Sequence, residues 1–304
     1  MCVECRDDER LTRRTFLSGA AAAVAGVVLS SEAAAQQSPF QKVLDDPAIL
    51  KTTVTYKSGT ADIEGYLARP KKAGRYRSVI IAHGNPGVPE DIKYTAIYLA
   101  QAGFVSLVYD WGSRAPMPKD DKALAEWRDY IFSYEFVKRQ MQDVQAGIDY
   151  LKGQPFVKRN QRVGMAGFCG GGRLALLCST RSKDVQAVVS FYGAVDYRAR
   201  KHKSDPAPNV LDVVRQINVP VQGHYGMLDQ VALAADAKLF EKAMRAQKTP
   251  VEMYYYEKAG HSFCNFTRPQ GSDPGYDYVP AAATVAHTRM VQFLKRHLKD
   301  DGGG

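Results

Sequence analysis

The chain has only five cysteines in 304 residues, and two of them, Cys2 and Cys5, fall in a segment with the marks of an export signal. The three that remain, Cys169, Cys178 and Cys264, are an odd number, so at least one thiol is free and no disulfide framework is expected. A domain of this length buries enough core to stand without cross-links. The Cys2–Cys5 spacing has no two further ligands nearby, which excludes a metal site there. A run long enough to span a bilayer is also missing. The mild apolar stretch from Gly19 to Leu29 is about half the ~20 residues a spanning helix needs. No basic block with interleaved aromatics and no nucleic-acid module is present, so a net charge of +9 does not argue for DNA or RNA. A positive surface of this kind attracts anionic substrates or surfaces. Neither an internal repeat nor a second domain can be found.

What is present begins with Thr12-Arg13-Arg14-Thr15-Phe16-Leu17, a twin-arginine pattern. The Gly19–Leu29 stretch and then Ala33-Ala34-Ala35 follow it. Basic region, apolar region and small-residue cleavage site in that order predict export by the twin-arginine route to the periplasm, with transient engagement of that machinery. Residues 1–35 are therefore read as the signal and 36–304 as one domain of about 269 residues. Loss of the signal removes four basic and five acidic side chains and moves the balance from +9 to +10.

The rest of the chain alternates between two periodicities. Thr52–Tyr56 and Ile63–Ala68 read as a hairpin around Ser58-Gly59. Strands are expected over Ser78–Ala82, Phe104–Tyr109, Arg162–Ala166, Val185–Tyr192, Val219–Tyr225 and Val251–Tyr256. Helical spacing covers Asp91–Ala102, Leu124–Leu151 with a break near Tyr134, Gly172–Thr180, Val231–Gln247 and Pro280–Lys299. Trp111–Asp121 and Asp196–Pro208 read as loops. Strands alternating with helices predict an α/β fold with a mostly parallel central sheet and helices on both faces.

Gly167-Phe168-Cys169-Gly170-Gly171-Gly172 lies between an apolar strand and an apolar helix. A reactive side chain among small residues at a strand-to-helix turn is the nucleophile elbow of the α/β-hydrolases, here with Cys in place of Ser. The turn is sharp, so glycine is needed around the nucleophile. The helix that follows aims its N–H groups at the sulfur and favours the thiolate. In that fold the nucleophile is followed by the acid and then by His. Asp229, after the Val219–Tyr225 strand, and His261, after the last strand, supply that order. Cys169, His261 and Asp229 would then be nucleophile, base and orienting acid. Asp229 also fits a helix N-cap, and Asp196 is the rival acid. His224, close to Asp229, reads as a structural residue. The oxyanion would be held by the backbone N–H groups of Gly170 and Asn85.

With these motifs on the page the chain resembles the dienelactone hydrolases over about Val54 to Leu298. The most specific pieces are Gly167-Phe168-Cys169-Gly170-Gly171, Tyr225-Gly226-Met227-Leu228-Asp229 and Gly260-His261-Ser262-Phe263. The resemblance implies an α/β-hydrolase fold and a Cys-His-Asp triad that opens enol-lactones or related esters through a thioester. It implies no metal and no organic cofactor. Two departures stand out. The best-known members carry a Glu against the resting thiol, and that slot here is Gly84. They also bind a substrate carboxylate with two arginines. Arg114 falls at the first position and reads equally as a solvated loop residue. Asn265 stands at the second, with Arg268 nearby. A small ester or lactone, with anionic character in view, is the expected partner. A ligand-binding protein on the same fold is the alternative, and a redox thiol pair of Cys169 and Cys264 a weaker one.

Overall fold

The computed structural model describes residues 38–84, 86–131, 133–196, 208–268, 271 and 273–298. The expected signal over 1–35, Asn85, and all but the ends of the Asp196–Pro208 loop lie outside the described residues.

Eight strands form one sheet: β1 (Ile49–Ser58), β2 (Ala61–Pro70), β3 (Arg77–Ala82), β4 (Phe104–Tyr109), β5 (Val163–Phe168), β6 (Val185–Phe191), β7 (Val221–Gly226) and β8 (Val251–Tyr256). Their order across the sheet is β1-β2-β4-β3-β5-β6-β7-β8. The β1–β2 hairpin turns at Gly59, whose φ of +60° is the left-handed conformation a tight turn demands. Strand β2 also pairs antiparallel with β4, and every pair from β4 onward is parallel. Strands β3 to β7 are buried along nearly their whole length because both of their faces are covered, and β3, β4 and β6 accordingly read as mostly apolar runs.

The helices are α1 (Pro39–Leu44), α2 (Glu90–Gln101), α3 (Asp121–Ile131), α4 (Tyr134–Lys152), α5 (Gly170–Ser179), α6 (Val210–Val213), α7 (Ala234–Ala246) and α8 (Pro280–His297). Side chains alternate along each strand, so the sheet has two cores. Ile80 and Ala82 of β3 face one core with Phe136, Val144 and Ile148 of α4 and Phe240 of α7. Val79 and Ile81 face the other with Ile92, Ala96 and Leu99 of α2 and Met290 and Phe293 of α8. This is the α/β-hydrolase arrangement expected from the alternation of strands and helices. The expected break near Tyr134 is a real boundary. Ser133 caps α4 by accepting the Phe136 N–H at 3.2 Å, which satisfies one of the orphan donors of a helix start.

Three details differ from the expectations. Helix α5 starts at Gly170, directly after the nucleophile position, rather than at Gly172. Helix α7 starts at Ala234 with Leu233 as its N-cap, so Asp229 does not cap it. Helices α1 and α6 have no counterpart in the sequence reading.

Candidate active site

Cys169 stands between β5 and α5 with φ +55° and ψ −121°, a conformation that costs a non-glycine residue energy and is kept where the surroundings impose it. The surroundings here are backbone. A Cβ at Gly167 would collide with the carbonyl of Gly171, and one at Gly171 would run into the backbone of Ala82 and His83. Strand β3, the turn and α5 therefore close on each other only if both positions are glycine. The thiol is left exposed to the cavity at the carboxyl end of the parallel strands.

His261, on the loop after β8, places Nε2 3.0 Å from Cys169 Sγ. Its Nδ1 lies 2.9 Å from Asp229 Oδ2, on the loop after β7. The other oxygen of Asp229 accepts the N–H groups of Val231 and Ala232 at 2.7 and 2.8 Å, which fixes the carboxylate. Both ring nitrogens of His261 are thus engaged, and the structure brings Asp229, not Asp196, to the histidine. Burial pushes the Cys169 thiol up, but the His261 charge and hydrogen bond and the Gly170 N–H outweigh it and hold the thiol below its ordinary value. Burial pushes His261 down, and Cys169 and Asp229 more than reverse this, raising it to about 9. The geometry favours a thiolate beside an imidazolium.

Gly84 faces this pair. A Cβ built there would lie 3.0 Å from Cys169 Cβ and 3.1 Å from Sγ. A side chain at this position would press on the sulfur, so its only titratable neighbour at hydrogen-bond distance among the described residues is His261.

The arginines expected to bind substrate are elsewhere. Arg114 grips Asp143 of α4 in a bidentate pair, with Nε to Oδ2 at 2.8 Å and Nη2 to Oδ1. Its Nη2 also reaches the Ser58 carbonyl. Asp143 is fully buried, so Arg114 neutralises a charge that would be costly if left alone. It does not line the cavity at Cys169. Arg268 sits with its guanidinium 5.3 Å from the centre of the Tyr276 ring, also outside the lining. Cys264 is buried, and burial holds its thiol well above its ordinary value. His224 is structural, with Tyr256 Oη at 2.8 Å and Gln222 Oε1 at 3.0 Å on its two nitrogens.

The cavity at the thiol measures about 230 Å³. Its walls include residues the sequence did not single out: Trp111, Phe136, Arg173 and Tyr192. Trp111 opens a short 3₁₀ turn whose cap, Asp110, accepts the Gly112 N–H at 2.8 Å. Its indole donates to the His83 carbonyl at 3.2 Å and packs edge-on to Phe136 at 5.5 Å. Arg173 follows Cys169 by one helical turn, a spacing that could have marked it, and donates to the Pro208 carbonyl at 3.1 Å. Tyr192, at φ +40°, meets the His261 ring edge-on at 5.2 Å.

Residues 63–298 match the family model described as the dienelactone hydrolase family. The chain belongs to the dienelactone hydrolase family. A Bradyrhizobium protein named a probable 2-oxo-3-(5-oxofuran-2-ylidene)propanoate lactonase is 34% identical over 233 residues, 77% of this chain and 89% of that protein. A putative carboxymethylenebutenolidase of Escherichia coli O157:H7 is 27% identical, with 83% and 89% covered. A crystal structure of a putative dienelactone hydrolase from Klebsiella pneumoniae superposes with a TM-score of 0.71, covering 82% of this chain and all of that one. At 22% identity that likeness speaks for the fold. The family is one of hydrolytic enzymes, which sets aside the ligand-binding alternative for this dienelactone hydrolase-like protein.

Proposed function

We propose that this dienelactone hydrolase-like enzyme cleaves a carboxylic ester or lactone through a Cys-His-Asp triad and a thioester intermediate. The observation that carries the reading is the unbroken line from Cys169 Sγ to His261 Nε2 at 3.0 Å and from His261 Nδ1 to Asp229 Oδ2 at 2.9 Å. Cys169 Sγ attacks the carbonyl carbon and the carbonyl electrons move to oxygen. The Gly170 N–H at the start of α5 is available to that oxyanion. As the tetrahedral adduct collapses, the imidazolium of His261 gives its proton to the leaving oxygen. In a lactone this oxygen stays attached to the acyl chain. His261, now neutral, takes a proton from water, whose oxygen attacks the thioester, and the acid leaves as the thiolate–imidazolium pair re-forms. The names of the relatives point to lactones, and a lactone is the first substrate to offer. Hydrolysis of a dienelactone and of simple nitrophenyl esters by the parent and by Cys169→Ala tests the reading. Turnover that survives in the variant would remove Cys169 from the chemistry.

The ionisation of the pair supplies a second test. The thiol is held below its ordinary value of 9.0, while His261 keeps its proton up to about 9. Iodoacetamide at pH 6 is expected to alkylate Cys169 and to spare Cys178, whose thiol burial raises to about 12, and Cys264. As pH rises through about 9 the imidazolium is lost. For a lactone or alkyl ester, whose leaving oxygen needs that proton, kcat/KM should then fall. Mass spectrometry of the alkylated peptides and a pH–rate profile read both. Equal labelling of the three thiols would contradict the ion pair.

The same proposal places the enzyme in the periplasm, on the strength of Arg13-Arg14, the Gly19–Leu29 stretch and Ala33-Ala34-Ala35. Changing Arg13 and Arg14 together to Lys should leave the chain unprocessed in the cytoplasmic fraction. Unaltered processing would exclude the twin-arginine route.

A further inference from the structure

Helix α1 has only six residues, and a helix that short is not stable alone. Phe40 supplies its tertiary anchor. The Phe40 ring stacks on Phe266 with centroids 4.2 Å apart and planes 7° from parallel. Tyr94 of α2 and Tyr278, just ahead of α8, meet Phe40 edge-on at 5.7 and 5.6 Å. Tyr94 also meets Phe266 edge-on at 5.6 Å. Four rings from four separate parts of the chain close one cluster, and such pairs add to the area they bury. The carboxyl end of α1 is tied as well. Lys51 Nζ donates to the Leu44 carbonyl at 2.7 Å, and Gln101 Nε2 donates to the Asp46 carboxylate at 2.6 Å.

Phe266 is five residues beyond His261, on the same loop. That loop passes through Ser262 at φ +61°, and the Asn265 N–H turns back to the Ser262 carbonyl at 2.8 Å. Val279, next to Tyr278, donates its N–H to the Phe263 carbonyl at 3.0 Å, and the His261 N–H donates to the Gly275 carbonyl. Two of the three ring partners of Phe40 therefore belong to the two strands of chain that hold His261. Phe40 itself does not line the cavity at Cys169.

We propose that Phe40 is a positioning residue of the hydrolytic site: by stacking on Phe266, the amino-terminal helix holds the His261 loop in the place that brings Nε2 to Cys169. The inference rests on the reading of His261 as the catalytic base. Loosening such a support costs rate rather than binding, because the reacting groups lose alignment while the cavity walls stay.

The test compares kcat, KM and the alkylation rate of Cys169 at pH 6 in the full chain with Phe40→Ala, Phe40→Tyr, Phe266→Ala and the double variant Phe40→Ala/Phe266→Ala. Phe40→Ala is expected to lower kcat about tenfold with KM nearly unchanged, as expected for a small misplacement at a reacting group. It should also slow iodoacetamide labelling. Phe40→Tyr, which keeps the ring, should restore both. The double variant should cost no more than the worse single one, because both remove the same contact. A Phe40→Ala protein with parental kcat and parental labelling overturns the proposal, whatever its melting temperature. Should Phe40→Ala fail to fold, Phe40→Leu keeps apolar bulk without the stack and is held to the same two outcomes. His261→Ala separates the two readings. If it is inactive while Phe40→Ala is parental, only the role of Phe40 falls. If it keeps parental turnover, the reading of His261 falls first.

Discussion

Cys169→Ala is expected to lower kcat by about four to six orders of magnitude while the protein keeps its fold, the scale seen when a nucleophile is removed from a triad. The size follows from what the sulfur does at its position. In the proposed mechanism it is the atom that forms the covalent bond, and no neighbouring thiol can substitute for it, since Cys178 and Cys264 are buried away from the cavity. The fold should survive because the thiol contributes little packing. Cys169 is only partly buried, and the turn is held by the glycine contacts and by the Cys169 N–H on the Phe191 carbonyl at 3.0 Å, which alanine retains. Alanine also keeps the strained φ of +55°, so no relief of strain confuses the comparison. Steady-state rates on esters, with far-ultraviolet circular dichroism and a thermal melt of the same samples, measure both halves. A variant that has lost activity together with its melting transition would say nothing about the thiol, and Cys169→Ser then isolates it. Serine keeps the size and the hydrogen bond to His261 but is far harder to ionise, so it should also lose most turnover.

The meeting of Cys169, His261 and Asp229 was legible in the sequence for a physical reason. In a parallel sheet wound with helices on both faces, every strand ends on the same side, so residues just beyond β5, β7 and β8 must meet there. Chain order and strand ends were enough to bring Cys169, Asp229 and His261 together. Chain order favoured Asp229 but left Asp196 as a rival acid and a helix cap as a second reading of Asp229. The contact of Asp229 with His261 settled the first choice and the start of α7 at Ala234 the second, and both depend on tertiary packing. The pairing of Arg114 was hidden because its partner is 29 residues further on. Asp143 looks like any polar residue of a helix, and only the buried face of α4 against β1 and β4 shows that it needs a cation. The cavity wall was hidden for the same reason. Trp111, Phe136 and Tyr192 come from three elements and carry no shared pattern. Helix α1 lacks the length for a periodicity, and its stability comes from Phe40 against rings more than fifty residues away.

Asp229→Asn is expected to cost about 10²- to 10⁴-fold in kcat, the upper figure being that of the equivalent change in a serine triad. The argument is one of tautomers. The carboxylate has two jobs: Oδ1 accepts the N–H groups of Val231 and Ala232, and Oδ2 accepts from His261 Nδ1. An asparagine has one oxygen for these two jobs. Two backbone donors outbid one imidazole, so the amide oxygen stays with Val231 and Ala232 and the NH₂ group turns to His261. An NH₂ facing Nδ1 forces the ring proton onto Nε2, the nitrogen that must take the thiol proton. The thiolate then loses its imidazolium, and its pKa moves back toward the ordinary 9.0. Two readouts follow with one sign. Turnover falls, and alkylation of Cys169 at pH 6 slows, because less thiolate is present. Asp196→Asn is the matched control. It leaves both contacts of His261 in place and should keep the parental labelling of Cys169. If labelling and turnover were lost in Asp196→Asn and kept in Asp229→Asn, the orienting acid would be Asp196, and the contact between Asp229 and His261 would have no part in the reaction.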